Sequence, residues 1–255
     1  MSGNNINWKK VTLQNKLKSF DAKQLRADSY EIKAVWDLPE AGTSFATVYT
    51  IRGNGKIHLK NRMEASATEK SDIPRIGMVL CLKSEFENMS WFGRGPWENY
   101  VDRNVSSFVD LFQSKVADQM VPYVRPQENG NKTDVRWVAL SNAKGQGVMA
   151  VSDAKEKGFE TTAMPHLTSD FDARTGTDYS PVHKEQKHTT DVKKQNLVRW
   201  NIDYFQRGLG SVDSWYSKPL DKYMLQPDKA YEYGFTLVPF DAISEVKDLV
   251  ELSKK

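Results

Sequence analysis

Phe45-Ala46-Thr47-Val48-Tyr49-Thr50-Ile51-Arg52-Gly53-Asn54-Gly55-Lys56-Ile57-His58-Leu59-Lys60 carries the clearest architectural signal in this chain. Phe45, Thr47, Tyr49 and Ile51 alternate with Ala46, Val48 and Thr50 before the turn, and Ile57 and Leu59 alternate with His58 and Lys60 after it. Side chains that change character every second residue suit a pleated strand with two unlike faces. Between the two runs sits Asn54-Gly55, a pair that tolerates positive φ, so the spacing predicts a hairpin closed by a type I′ turn.

The same period recurs outward from this hairpin. Tyr30, Ile32, Ala34, Trp36 and Leu38 line one face of a strand that stops at Pro39, and Ile76, Met78, Leu80 and Leu82 line another. Val135–Leu140 and Val148–Val151 flank turn residues at Asn142-Ala143-Lys144-Gly145. Val198, Trp200, Ile202 and Tyr204 alternate, as do Tyr231, Tyr233, Phe235 and Leu237. Many short strands separated by turn signals predict an all-β protein, a large antiparallel β-sandwich. Two helices are expected. One lies within 106–120, where Val109, Phe112, Val116 and Met120 fall at helical spacing; the other is a short C-terminal helix capped by Asp241 with Ile243, Val246 and Val250 on its apolar stripe. The polar stretch 169–194 reads as a surface loop, and no repeat or linker divides the chain, so residues 1–255 are expected to form one domain.

Composition narrows the functional classes. A net charge of +3 over 255 residues, with Lys and Arg interleaved among Asp and Glu, argues against a nucleic-acid partner. No apolar run approaches the roughly 18–20 residues of a membrane span, and Met1-Ser2-Gly3-Asn4-Asn5 has no basic-then-apolar pattern of a signal peptide. Cys81 is the single cysteine; inside the apolar run Gly77–Leu82 it is expected to be a buried thiol, with no disulfide and no cysteine metal site. The four histidines show no metal-binding spacing, so no metal site is expected.

Three patches break the strand period. The first runs Trp91-Phe92-Gly93-Arg94-Gly95-Pro96-Trp97-Glu98-Asn99-Tyr100-Val101-Asp102-Arg103, too irregular for core and too aromatic for an ordinary solvated loop. The second is Val121-Pro122-Tyr123-Val124-Arg125-Pro126-Gln127-Glu128-Asn129-Gly130, and the third spans 200–215, from Trp200-Asn201-Ile202-Asp203 to Asp213-Ser214-Trp215. Glu98 and Glu128, set among Gly, Pro and Asn, are expected to cap turns or pair with Arg. Gly93, Gly95, Gly208 and Gly210 are expected to supply special backbone angles.

The ordered patterns G-x-G-P-x-E-N-Y-x-D-R, P-Y-x-x-P-x-E-N-G, N-I-D-x-x-x-x-G-x-G and D-S-W resemble the C-terminal, small-chain domain of family 2 β-galactosidases over roughly residues 8–240. The resemblance implies a galactose mutarotase-like sandwich that carries no catalytic residue. The two catalytic glutamates and the Mg²⁺ and Na⁺ sites would belong to a barrel outside this chain, and this chain would hold no cofactor. It also implies that Trp215, aimed by Asp213 and Ser214, forms part of the sugar platform. Gly95, Pro96, Glu98, Asn99, Tyr100, Asp102, Arg103, Glu128, Asn129 and Gly130 would be scaffold. The implied partners are a β-galactoside sugar, the remaining domains or large subunit, and, through an open sheet edge, a further copy of the chain. The chain departs from the pattern in four places. Opening strands are expected to be missing, 170–194 is long, Ser211 stands where glycine is common, and a terminal helix is added. Two other readings compete. One is a stand-alone carbohydrate-binding or small-subunit role. The other is an aldose 1-epimerase using His166 or His183, though neither sits in an epimerase-like motif.

Overall fold

The computed structural model describes residues 8–66, 72–171, 187–210, 213, 217–243 and 245–254. Thirteen strands form two antiparallel sheets among them. In chain order these are β1 (Lys16–Arg26), β2 (Ser29–Leu38), β3 (Thr43–Arg52), β4 (Ile57–Met63), β5 (Arg75–Lys83), β6 (Asn88–Gly95) and β7 (Phe108–Lys115). They continue as β8 (Lys132–Val135), β9 (Trp137–Ser141), β10 (Gly147–Ser152), β11 (Phe159–Met164), β12 (Leu197–Gln206) and β13 (Tyr231–Phe240). One sheet has nine strands in the order β1-β2-β3-β4-β13-β10-β9-β6-β7, and the other has four in the order β5-β12-β11-β8. The protein is all-β and antiparallel, with a short C-terminal helix, as the strand period predicts.

The alternation explains why the two sheets face each other. Leu59, Trp91, Leu140 and Phe235 project from the large sheet onto Phe159, Val198, Trp200 and Ile202 of the small one, all essentially inaccessible to water. Burying such side chains stabilises the fold by about 1.5–3 kcal/mol each. Met78, Leu80 and Leu82 of β5 pack on the same core, and the intervening Val79 and Cys81 point away from it. Cys81 is therefore exposed, against the buried thiol expected. The apolar run around it is one face of an edge strand and not a doubly covered one.

Three further differences have physical causes. Residues 108–115 are an edge strand, not a helix: Phe112 stacks on Trp91 at 5.2 Å while every residue from Phe108 to Lys115 finds a partner on β6. Ladder bonding to a neighbour overrides a helical spacing that is only local; past the strand, Val116–Gln119 form one 3₁₀ turn. The first hairpin forms, with Ile51 opposite Ile57, but its loop is longer than a two-residue turn. Arg52 bonds to both Gly55 and Lys56, and only Gly55 takes positive φ, at 83°. The C-terminal helix α2 (Val246–Ser253) starts four residues later than predicted, capped at Glu245 and not Asp241, because Ala242 sits at φ 56°, which ends any helix begun at Asp241. Its Leu249 packs with Ile243, Val246, Val250 and Leu252 over Trp137 and Met149 on the outer face of the large sheet. An additional helix, α1 (Trp8–Leu13), precedes β1. No helix among the described residues is long and apolar enough to cross a membrane.

Candidate functional site: a polar face under stitched loops

The three patches that break the strand period meet at one end of the four-stranded sheet. β6 ends at Gly95, the chain leaves through a cis Gly95–Pro96 bond, and residues 96–103 have no ladder to satisfy their backbone groups. Side chains take over that role. The Asn99 side chain, fully buried, accepts from Thr133 N at 2.9 Å and Thr133 Oγ1 at 2.6 Å and donates to Trp97 O at 3.0 Å. Its backbone N–H donates to Asn131 O at 2.8 Å, and Asn131 Nδ2 donates back to Asn99 O at 3.1 Å. Glu98 fastens the second patch to the first. It accepts from Gly130 N at 2.7 Å, from Arg103 Nη2 at 2.6 Å and from the Tyr123 hydroxyl. Burial pushes the Glu98 carboxyl up, but these three bonds outweigh it and hold it below the usual carboxylate range. Gly130 must be glycine, since it has φ 80° and a Cβ there would lie 2.9 Å from Gln119 O. Tyr100 is wholly buried beneath the Arg103 guanidinium, 4.6 Å from its ring centroid, while Asn129 closes its own loop by accepting from Val121 N.

Asp102 ties in the third patch by accepting from Gly210 N at 2.6 Å. A Cβ on Gly208 would sit 2.7 Å from Asp102 Oδ2, so this glycine serves close approach. Gly93, Gly95, Gly208 and Gly210 all lack positive φ, against the expectation of special backbone angles; the room they leave is what matters. Asp213 accepts from Ser217 Oγ at 2.5 Å, and Ser214 and Trp215 lie outside the described residues.

Beneath these loops the outer face of the four-stranded sheet is polar and buried. Arg199, Asn201 and Asp203 of β12 alternate with the core residues Val198, Trp200 and Ile202, and Glu160 of β11 stands directly opposite Asp203. Arg75, at the start of β5, reaches Glu128 at 2.7 Å and Asp203 at 3.6 Å. Burial pushes Glu160 up to about 8, partly offset by the Asn131 Nδ2 bond at 2.9 Å, with Asp203 adding to the rise. Burial likewise lifts Asp203 to about 7, and the Arg75 guanidinium pulls it back. Lys132, nearly inaccessible on β8, is pushed down to about 8 by burial. Desolvation works against charge on each of these groups, whatever its sign.

Glu98 and Glu128 are not a free pair of carboxylates, because each is bound by its own arginine, Arg103 and Arg75. His166 is buried against the Phe171 ring at 5.4 Å, and burial holds its imidazole below the usual range. His183 lies outside the described residues. Among the described residues no three His, Cys, Asp or Glu side chains gather as a metal site would require.

The model of the family described as β-galactosidase small chain matches residues 2–237. The chain belongs to this family. The chain is 32% identical over 233 residues to a β-galactosidase of Priestia megaterium, covering 91% of the chain and 21% of that relative. It is 32% identical over 194 residues to a β-galactosidase of Kluyveromyces lactis, covering 75% of the chain and 17% of the relative. The chain thus spans about a fifth of the length of the curated relatives it matches. Among solved structures, a galactose mutarotase related enzyme from Lactobacillus acidophilus aligns over 89% of the chain and 73% of its own, at 12% identity and TM-score 0.40. All three patches fall inside the span that defines the small chain, whereas α2 begins after it.

Sequence reading singled out the loop residues of this small-chain site and passed over Arg75, Lys132, Glu160 and Arg199. A signal for the last did exist. In Leu197-Val198-Arg199-Trp200-Asn201-Ile202-Asp203 the polar residues alternate as strictly as the apolar ones, but nothing in the strand says that loops bury its polar face.

Proposed function

We propose that the chain is the noncatalytic small-chain domain of a family 2 β-galactosidase, completing the sugar site and packing on a catalytic barrel. Residues 1–255 act as a single galactose mutarotase-like unit, and Trp215 presents its indole face to the sugar. The glutamate pair and the Mg²⁺ and Na⁺ sites of such an enzyme belong to the barrel, and hydrolysis of terminal β-galactosides is the work of the whole assembly. The observation that carries this reading is the Asp102–Gly210 bond at 2.6 Å. It joins the stitched loops to the segment leading to Trp215, so the irregular patches serve one end: a fixed base for an aromatic side chain. An indole is large, rigid and apolar, which suits it to the C–H face of a pyranose.

Two measurements test the proposal. The purified chain should not hydrolyse a chromogenic β-galactoside; turnover by the chain alone would refute a noncatalytic role. In the full-length enzyme, Trp215→Ala should weaken sugar binding by roughly 1–3 kcal/mol, seen as a higher KM. An unchanged KM and aglycone preference would remove Trp215 from the platform.

A further inference from the structure

Among the described residues the two sheets leave four strands with an open side, β1 and β7 on the large sheet and β5 and β8 on the small one. An open strand presents a row of unpaired N–H and C=O groups, and proteins blunt such edges with bulges, charge or brevity. Three of the four are blunted. β1 has register shifts between Leu17 and Ser19 and between Gln24 and Arg26, and it carries Lys16, Lys18, Lys23 and Arg26 against one acid, Asp21. β5 has Arg75 and Lys83 at its ends and no acid, and its opening residues share a cleft with Trp8 and Val11 of α1. β8 is four residues long, three of them buried.

β7 has none of these devices. Its eight residues, Phe108-Val109-Asp110-Leu111-Phe112-Gln113-Ser114-Lys115, pair with β6 without a register shift and include no proline. Phe108, Val109 and Leu111 are exposed. One acid and one base leave the strand without net charge, and Lys115 is already paired with Glu87 at 2.7 Å. The backbone of β6 shows which groups of β7 face outward. Phe92 O accepts from Arg136 N at 2.8 Å, so Phe92 turns its backbone groups toward β9. Leu111, opposite Phe92 on β7, therefore turns its own to the open side, and so do Val109 and Gln113. The Leu111 N–H finds only the neighbouring carboxylate there, donating to Asp110 Oδ1 at 2.8 Å.

We infer that β7 is the edge through which this protein associates with a second copy of itself, the two strands pairing antiparallel about a two-fold axis through Phe112. Phe112 then stands opposite Phe112, Leu111 opposite Gln113, Asp110 opposite Ser114 and Val109 opposite Lys115. Opposed side chains share a face, as an antiparallel ladder requires, and no charge meets a like charge. Leu111 and Gln113 exchange N–H···O bonds across the axis, and the Leu111 N–H leaves Asp110 for a carbonyl. Asp110 in turn can accept from the Ser114 hydroxyl of the second copy. The same operation on β1 brings four cations against the same four, and on β5, about Val79, it sets Arg75 against Lys83. A neutral strand is the one of these that suits its own copy.

Sedimentation equilibrium of the full chain tests this. Over a concentration series the mass should climb from 29.1 kDa toward twice that value. Leu111→Lys with Gln113→Lys sets ammonium groups opposite one another and should hold the chain at the monomer mass. Leu111→Glu with Gln113→Glu should do the same. Equal amounts of the two variants should dimerise when mixed, since each lysine then faces a glutamate. Phe20→Lys on β1 should leave the dimer intact. Amide exchange in the unsubstituted protein gives a second measurement: Val109, Leu111 and Gln113 should slow as concentration rises, and the amides of β1 should not. It decides the matter if the charge variants do not fold. A chain that stays at 29.1 kDa at every concentration overturns the inference. So does a dimer that survives the paired lysines or is lost with Phe20→Lys, and so does failure of the mixed variants to associate.

Discussion

Each outer face of the sandwich is covered over part of its area, and the two covers have opposite chemistry. Over the nine-stranded sheet, α2 lays Leu249 and its apolar neighbours on Trp137 and Met149. Over the four-stranded sheet, Arg199, Asn201, Asp203 and Glu160 are buried, with Glu160 bonded to Asn131, Arg199 to Thr168, and Asp203 paired with Arg75 at 3.6 Å. An apolar cover is non-directional; it stabilises in proportion to area and tolerates small shifts. A polar cover works only at bonding distance, so it fixes atoms in place. The two faces therefore have different uses: one seals, the other positions.

Substitutions on each face should separate these uses. The largest effect is expected from Asn99→Ala on the polar side. It strands the Thr133 N–H and hydroxyl in a buried site, at about 1–3 kcal/mol for each group left unpaired. A denaturant titration should show a loss of roughly 3 kcal/mol or more, and in the full-length enzyme KM should rise. A loss under about 1 kcal/mol would mean that the loops are not held by this residue. Leu249→Ala on the apolar side comes next, at about 2 kcal/mol for a large-to-small change at a covered site. It should red-shift the fluorescence of Trp137 as water reaches the sheet, and leave KM alone. If Leu249→Ala altered KM as Asn99→Ala does, the contrast between sealing and positioning would break.

How far the sequence reveals each face follows from the same contrast. The apolar period found the hairpin at 45–60, the β9–β10 pair around Asn142 and the stripe of α2, because alternation and helical spacing are properties of the segment itself. It misassigned 106–120, where pairing with β6 decides, and passed over β1, whose eleven residues are exposed on both faces and carry no period. At the site, the loop motifs with Glu98, Asn99, Asp102 and Glu128 were legible as irregular, residue-dense stretches. Arg75, Asp72 and Glu160 were not, because each sits in an ordinary strand or lead-in and gains its partners only when distant segments meet. Glu160 bonds to Asn131, and Asp72 to Arg207 and Lys218. No local pattern encodes a contact across 29 residues, still less one across 135.

The smallest effect expected is a change of slope, and it probes the polar face without removing any atom of size. Glu160 is held at about 8 in the folded protein against an ordinary 4.5. Between those values the folded state keeps a proton that the unfolded chain has released. Its contribution to stability is complete below pH 4.5 and is lost as pH rises toward 8. Glu160→Gln keeps the shape, can still accept from Asn131, and does not titrate. Asp203, raised to about 7, shifts stability in the same direction as Glu160; buried His166 and Lys132 act oppositely. All three are common to both proteins and cancel in the comparison to first order. Thermal midpoints of wild type and Glu160→Gln should therefore coincide near pH 4 and separate with rising pH, the variant becoming the more stable at pH 8. Parallel curves across that range would show that Glu160 is charged in the folded protein. The face opposite the hydrophobic core would then be an ion-pair network at neutral pH, and not one held in part by a neutral carboxyl group.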